Sequence, residues 1–236
     1  MDGRILHFRL AGINNQNFIM RDEETGTWWQ QISGKAILGP LKGRQLERVA
    51  FDEVSYALWK QENPRGLVLL ADPKLEKKYA EADWEIRMLR NPTVTPVDSR
   101  DPLKPRDLVV GISVGEVDKA YPVQKLLTEN PVTDALGRTP VLIVVGPDGR
   151  SVRCFERIVA GQTLDLFRKT GSSLFRLVDT QTGSEWDFSG KAVSGPLSGK
   201  SLPRMQTLKD YWFDWKLYHP RTSVYHAGEL RRISGS

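Results

Sequence analysis

Cysteine and histidine are scarce in this 236-residue chain, which has one of the former and three of the latter. A single cysteine, Cys154, excludes an internal disulfide, and with it a small cystine-stapled scaffold. The histidines, His7, His219 and His226, are not spaced as a ligand pair, so no cofactor is expected and a metal, while open, has no support from ligand spacing. No apolar run approaches the ~18–20 residues of a membrane span. The opening Met1-Asp2-Gly3-Arg4 has no apolar leader. Glycine-rich phosphate loops and a Gly-x-Ser-x-Gly elbow are missing, as is any recognisable Ser-His-Asp order. No catalytic residue is expected, and these absences lean away from an enzyme without deciding the question.

What remains is an ordinary globular composition: 39% hydrophobic and 27% charged residues in 26.7 kDa, enough to bury its own core. Thirty-four Lys and Arg face 29 Asp and Glu, a net charge of +5. The bases are mostly interspersed with acids, as in Arg87, Arg90, Arg100, Lys104 and Arg106 around Glu85, Asp98 and Asp101. The acid-free stretch from Phe188 to Lys209 spreads its bases widely. A nucleic-acid surface needs clustered bases with a recognisable module, and neither is present.

The chain matches itself. Ser33-Gly34-Lys35-Ala36 and Gly39-Pro40-Leu41-x-Gly43 return as Ser189-Gly190-Lys191-Ala192 and Gly195-Pro196-Leu197-x-Gly199. Carried without a gap from Ser33 to Arg65, the match gives 14 identities in 33 pairs, where typical residue usage gives roughly two. Trp59-Lys60 pairs with Trp215-Lys216, and Pro64-Arg65 with Pro220-Arg221. One residue of slippage earlier, Asp22-x-x-Thr25-Gly26 and Trp29 match Asp179-x-x-Thr182-Gly183 and Trp186. The residues from about 107 to 160 have no counterpart ahead of the first copy. Loss of its front, a late gene start and a rearranged duplication all remain open.

Each copy reads as strand, turn, strand, loop, helix, strand. Ile5–Leu10, Asn17–Arg21 and Thr27–Gln31 are expected strands, matched by Leu164–Phe167, Leu174–Val178 and Ser184–Phe188. Between the latter two of each set, Asp-x-x-Thr-Gly predicts a tight turn. Asp52 is the expected cap of a helix stopped by Asn63-Pro64, and Thr207 that of a helix stopped by His219-Pro220. Gly66–Leu70 and Ser223–His226 are the expected closing strands. An amphipathic helix is expected over Pro73–Arg90, with Leu75, Tyr79, Ala82, Ile86 and Leu89 on one face, and a proline-rich linker follows. Leu108–Val114, Lys119–Val123, Val141–Val145 and Ser151–Phe155 read as strands. The fold class is therefore α+β, β-rich with short helices and an internal duplication. The expected organisation is 1–72 as a partial first copy, 73–105 as helix and linker, 106–228 as a complete second copy, and 229–236 as a tail.

Several blocks resemble a known family. Gly111-Ile112-Ser113-Val114-Gly115 and Lys119-Ala120-Tyr121-Pro122-Val123 resemble the opening of the bacterial domain of unknown function 3179. Phe155-Glu156-Arg157 and Asp179-x-Gln181-Thr182-Gly183-Ser184-x-Trp186 resemble its middle, and Gly195-Pro196-Leu197-Ser198-Gly199 with Trp215-x-x-x-x-Pro220 its end. Residues 106–228 resemble a full domain, and 3–70 the C-terminal half of another. Members of that family typically carry Cys-Pro-x-Cys after the buried strand. Here Gly146-Pro147-Asp148-Gly149 stands there, with glycine at both cysteine positions. Cysteines at that spacing suit metal or redox chemistry, which the resemblance implies this chain has lost. The resemblance also points to an extracytoplasmic home, while the chain on its own shows no leader and otherwise reads as cytoplasmic.

The candidate binding residues are Asp22, Trp28, Trp29, Asp179 and Trp186, a carboxylate beside an indole in each copy. Trp28 and Trp29 alternate across a strand, so one of them is expected to face outward. Cys154, between Arg153 and Phe155 and close to Arg157, is a candidate reactive thiol against the commoner role of a small buried residue. The leading expectation is a non-catalytic structural or binding module, taking a protein or small-molecule partner. The alternatives are a metal- or redox-linked protein and, more weakly, a carbohydrate- or peptide-acting enzyme.

Overall fold

The computed structural model describes residues 1, 3–14, 17–47, 49, 51–93, 95–96 and 98–226. The expected 229–236 tail lies outside them. The chain forms two compact units, one of residues 1–50 with 93–96 and one of the remainder.

The first unit holds one antiparallel sheet of β1 (Phe8–Asn14), β2 (Asn17–Asp22), β3 (Trp28–Gln30) and β4 (Ala36–Leu38), in that order. A bulge between Leu10 and Gly12 bends β1. The expected strand Ile5–Leu10 thus begins later and runs further.

The second unit opens with helix α1 (Tyr56–Glu62), a 3-10 turn over Pro73–Lys78 and helix α2 (Trp84–Arg90). Strands β5 (Leu108–Val114) and β6 (Val117–Pro122) form a hairpin, followed by helix α3 (Val123–Thr128). Strands β7 (Val132–Leu136), β8 (Thr139–Val145) and β9 (Val152–Glu156) make a meander. A small hairpin, β10 (Ile158–Val159) and β11 (Gln162–Thr163), leads to four short strands. These are β12 (Leu166–Arg168), β13 (Leu177–Asp179), β14 (Glu185–Trp186) and β15 (Ala192–Ser194). The unit closes with β16 (Arg204–Met205), β17 (Leu208–Tyr211), helix α4 (Trp212–Tyr218) and β18 (Ser223–Val224).

Among the described residues, the second unit carries three four-stranded sheets, with orders β12-β13-β14-β15, β16-β9-β8-β7 and β17-β5-β6-β18. The sheet centred on β8 and β9 is buried on both faces, which is why Val141–Val145 is apolar without alternation. Leu142, Val144 and Phe155 pack with Leu166, Leu177, Trp186 and Ala192. Val141, Ile143, Val145 and Cys154 pack with Val110, Ile112, Tyr121 and Leu126. On the outer sheet, α4 lays Trp212 and Trp215 over Val109, Ala120 and Val224. Gly111 lets this happen: a Cβ there would stand 2.1 Å from the Trp215 ring.

Four expectations are corrected. Ser55, not Asp52, caps α1, its side chain accepting the Leu58 amide. Thr207 caps nothing, because Leu208–Tyr211 is a strand paired antiparallel with β5 and the helix begins only at Trp212. The Pro73–Arg90 helix is broken at Tyr79, whose extended backbone ends the 3-10 turn. Its apolar face, Leu75, Tyr79, Ile86 and Leu89, is exposed and so lacks the packing that stabilises short helices. Gly66–Leu70 forms no strand, whereas the matching Ser223–Val224 does.

Candidate functional site

The matching Asp-x-x-Thr-Gly-x-x-Trp blocks fold alike. Asp22 heads a turn in which its Oδ1 accepts the Thr25 amide (2.5 Å) and its Oδ2 accepts the Trp29 indole N–H (2.7 Å). Asp179 does the same with Thr182 (2.6 Å) and Trp186 (2.9 Å). Gly26 and Gly183 both take φ of 70°, open to glycine at little cost. The next hydroxyl along, Thr27 or Ser184, accepts the Leu41 or Leu197 amide of the Gly-Pro-Leu loop. Gly39 and Gly195 pass so close to these residues that a Cβ would lie 2.8 and 2.6 Å from their Cα atoms. Turn, indole and loop are therefore one interlocked unit. Asp22, Asp179, Trp29 and Trp186 are all buried, and their polar atoms are bonded within the turn. These bonds to the carboxylate of Asp22 outweigh its burial and hold its pKa below the usual range. Trp28 is half-exposed.

Cys154 is fully buried in β9, its sulfur 3.9 Å from Met205 Sδ. Burial raises its pKa, which keeps it a thiol at neutral pH and is the opposite of the environment a reactive cysteine requires. Arg153 and Arg157 flank it in sequence, but their guanidinium groups are engaged by other partners.

One constellation was not visible in the sequence. Arg153 on β9 has a side chain only 3% exposed. Its Nη1 and Nη2 donate to the two carboxylate oxygens of Glu62 (2.6 and 2.7 Å), and its Nη2 and Nε donate to Asp52 Oδ2 (2.7 and 3.1 Å). The Phe188 ring lies 4.6 Å from the guanidinium carbon. Burial acts to lower the Arg153 pKa, and the bonds from Glu62 and Asp52 outweigh it, so the pKa is raised. Arg204 also donates to Asp52 (2.5 Å). Both acids come from the α1 segment, some 90–100 residues upstream, and no local spacing announces the pairing.

Between those two acids, the same segment is also fastened at Ser55 to the turn between β8 and β9. Asp148 Oδ1 accepts the amides of Arg150 and Ser151, and the Ser151 hydroxyl donates to Oδ2. The Ser55 amide donates to Ser151 Oγ (3.0 Å), and Asp148 in turn holds that hydroxyl. Burial would raise the Asp148 pKa, but these bonds hold it well below the usual carboxylate range. Between the two fastenings, Leu58 enters the cluster of Leu142, Val144 and Phe155. The turn in question is Gly146-Pro147-Asp148-Gly149, and a Cβ on Gly146 would meet the Phe188 ring at 3.0 Å. Beside it opens a cleft of about 790 Å³, lined by Asp52, Glu62, Pro147, Arg153, Phe175 and Arg204, among others.

A second buried polar cluster lies under the β5–β6 hairpin. Lys119 Nζ sits 2.9 Å from Asp134 Oδ2, and the Tyr121 hydroxyl donates to the same oxygen (2.8 Å). Tyr121 stacks on Tyr225, whose hydroxyl donates to Glu129. Burial and the neighbouring Asp134 charge push the Tyr121 pKa far up, so it remains a donor. Its signal was the Lys119-Ala120-Tyr121 spacing, which puts both side chains on one strand face. Among the described residues, no group of three or more His, Cys, Asp or Glu side chains is placed to hold a metal ion, and no helix is long and apolar enough to cross a membrane.

No curated protein and no solved structure matches the chain. A family model does, the one described as protein of unknown function (DUF3179), and it matches residues 2–222. That span contains both Asp-Thr-Gly-Trp units and nearly the whole chain, so the chain belongs to the DUF3179 family.

Proposed function

We propose that this protein is a non-catalytic binding module in which the turn at Gly146–Gly149 serves as a mooring for helix α1. The observation that carries this reading is the double fastening of the α1 segment, with Ser55 on Ser151, and with Asp52 and Glu62 on buried Arg153. The Asp148 carboxylate is engaged within the turn, and the Ser151 hydroxyl it holds accepts the Ser55 amide of the helix segment. In the family resemblance this turn is the cysteine-bearing one, and here both cysteine positions are glycine. The recurring Asp and Trp side chains support the reading too, since their bonds close within each turn.

Native mass spectrometry with elemental analysis tests the proposal. The protein is incubated with zinc(II) or iron(II), desalted, and weighed. The expected result is the bare chain mass. Stoichiometric retention of a metal would overturn the proposal and restore the metal-linked alternative.

A further inference from the structure

Helix α1 has two faces, and only one of them is occupied by the fastenings described above. In the gap-free sequence match, Tyr56 and Trp59 stand at the positions of Trp212 and Trp215, and Val68 at that of Val224. The two helices end alike. Their caps, Asn63 and His219, have φ/ψ of −126°/67° and −126°/66°. Lys60 Nζ donates to Pro64 O and Lys216 Nζ to Pro220 O, both at 3.1 Å.

Their surroundings differ. Trp212 and Trp215 are buried on Val109 and Ala120 of the β5–β6 hairpin. Strand β18 adds in parallel to β6, Val224 opposite Ala120, and the Tyr225 amide donates to Ala120 O. Val224 is 9% exposed. The matching residues of the first segment are far less covered: Tyr56 is 63% exposed and Val68 50%, Trp59 is half-buried, and Leu67 and Leu69 are exposed almost completely. Tyr56 stacks on Trp59, and Trp59 folds against Gly66, so aromatic face and apolar segment adjoin. Four consecutive apolar residues, Leu67-Val68-Leu69-Leu70, left open in this way mark an interaction surface.

We propose that Tyr56, Trp59 and Leu67–Leu70 form a docking surface for a β-hairpin on another polypeptide, with the segment from Leu67 to Leu70 adding as a parallel strand to its edge. The chemistry of that hairpin is given by the one that covers the matching surface, Leu108–Pro122. It has small and β-branched residues on its docking face, as Val109, Gly111 and Ala120 do here, and an edge that accepts a parallel strand. A second copy of this chain is not the occupant, because its own hairpin is already covered by Trp212, Trp215 and Val224. The inference rests on the binding-module reading and names the partner class for it.

The test joins a second Asp107–Ala160 segment, through a flexible linker, to the N-terminus of the full chain and follows amide exchange. The expected result is that the Leu67–Leu70 amides slow by about 100-fold or more, as for a strand that opens only with its partner. Val68→Asp should abolish that slowing without changing exchange in β8 and β9. Unchanged exchange at Leu67–Leu70 in the fusion overturns the proposal. A dimer of the unfused chain that Val68→Asp dissolves also overturns it, in favour of self-association. Either failure leaves the bare mass and the mooring of α1 untouched, so it is distinguishable from failure of the proposed function.

Discussion

Removing both acids that hold Arg153 should cost far more than removing either. The Arg153 side chain is almost wholly buried, while Asp52 and Glu62 are about three-quarters buried. Leaving a buried charge without its partner typically costs about 3–5 kcal/mol. In Glu62→Gln the guanidinium keeps Asp52 and an amide oxygen, so the loss should be about 1–2 kcal/mol, the scale of one charged hydrogen bond. In Asp52→Asn/Glu62→Gln no counter-charge remains on either acid, and the loss should reach about 3–5 kcal/mol. Adding Arg153→Met to the double variant removes the stranded charge as well, and stability should return to within about 1–2 kcal/mol of the parent. Urea unfolding at pH 7 measures all three. Additive single losses below about 1 kcal/mol in total, or a triple variant no better than the double, would refute the reasoning.

Asp179→Ala strands the buried Trp186 indole N–H and the Thr182 amide, and should lower stability by about 2–4 kcal/mol in urea unfolding. Gly111→Ala drives a methyl into the Trp215 ring and should cost at least about 1–3 kcal/mol, read as a lowered Tm. Burial and the nearby Asp214 charge raise the Asp210 pKa to about 7, so the folded protein binds a proton that the unfolded chain releases. Stability should therefore fall as pH rises from about 4 to about 7, and Asp210→Asn should flatten that slope in a pH series of unfolding curves. Cys154 should resist Ellman's reagent in the native protein and react stoichiometrically in urea, because it is buried as a neutral thiol.

The β-rich fold was legible in the chain because both-face burial and turn chemistry leave local marks. Leu108–Val114 forms a strand with the bounds its apolar run indicates, and the Asp-x-x-Thr-Gly blocks turn where they should. Helix starts were less legible, since Asp52 and Thr207 are good caps by composition but neither caps. Asp52 is drawn to Arg153, and Thr207 precedes a strand that β5 recruits. Such tertiary pairings override a local preference worth about 1 kcal/mol. The α1 mooring was illegible for the same reason: Ser55–Ser151 and Glu62–Arg153 are contacts over 96 and 91 residues. Strand β7 and helix α3 were missed because Val123–Leu136 mixes short apolar runs with polar residues and no clear period.

The central claim, that α1 is moored to the β8–β9 turn and to Arg153, is tested most directly by native-state amide exchange across Tyr56–Glu62. A helix of seven residues has almost no stability of its own, so any protection there reports docking. The expected result is slow exchange in α1 of the parent and fast exchange in Asp52→Asn/Glu62→Gln, with β8 and β9 protected in both. Fast exchange of α1 in the parent protein would contradict the account.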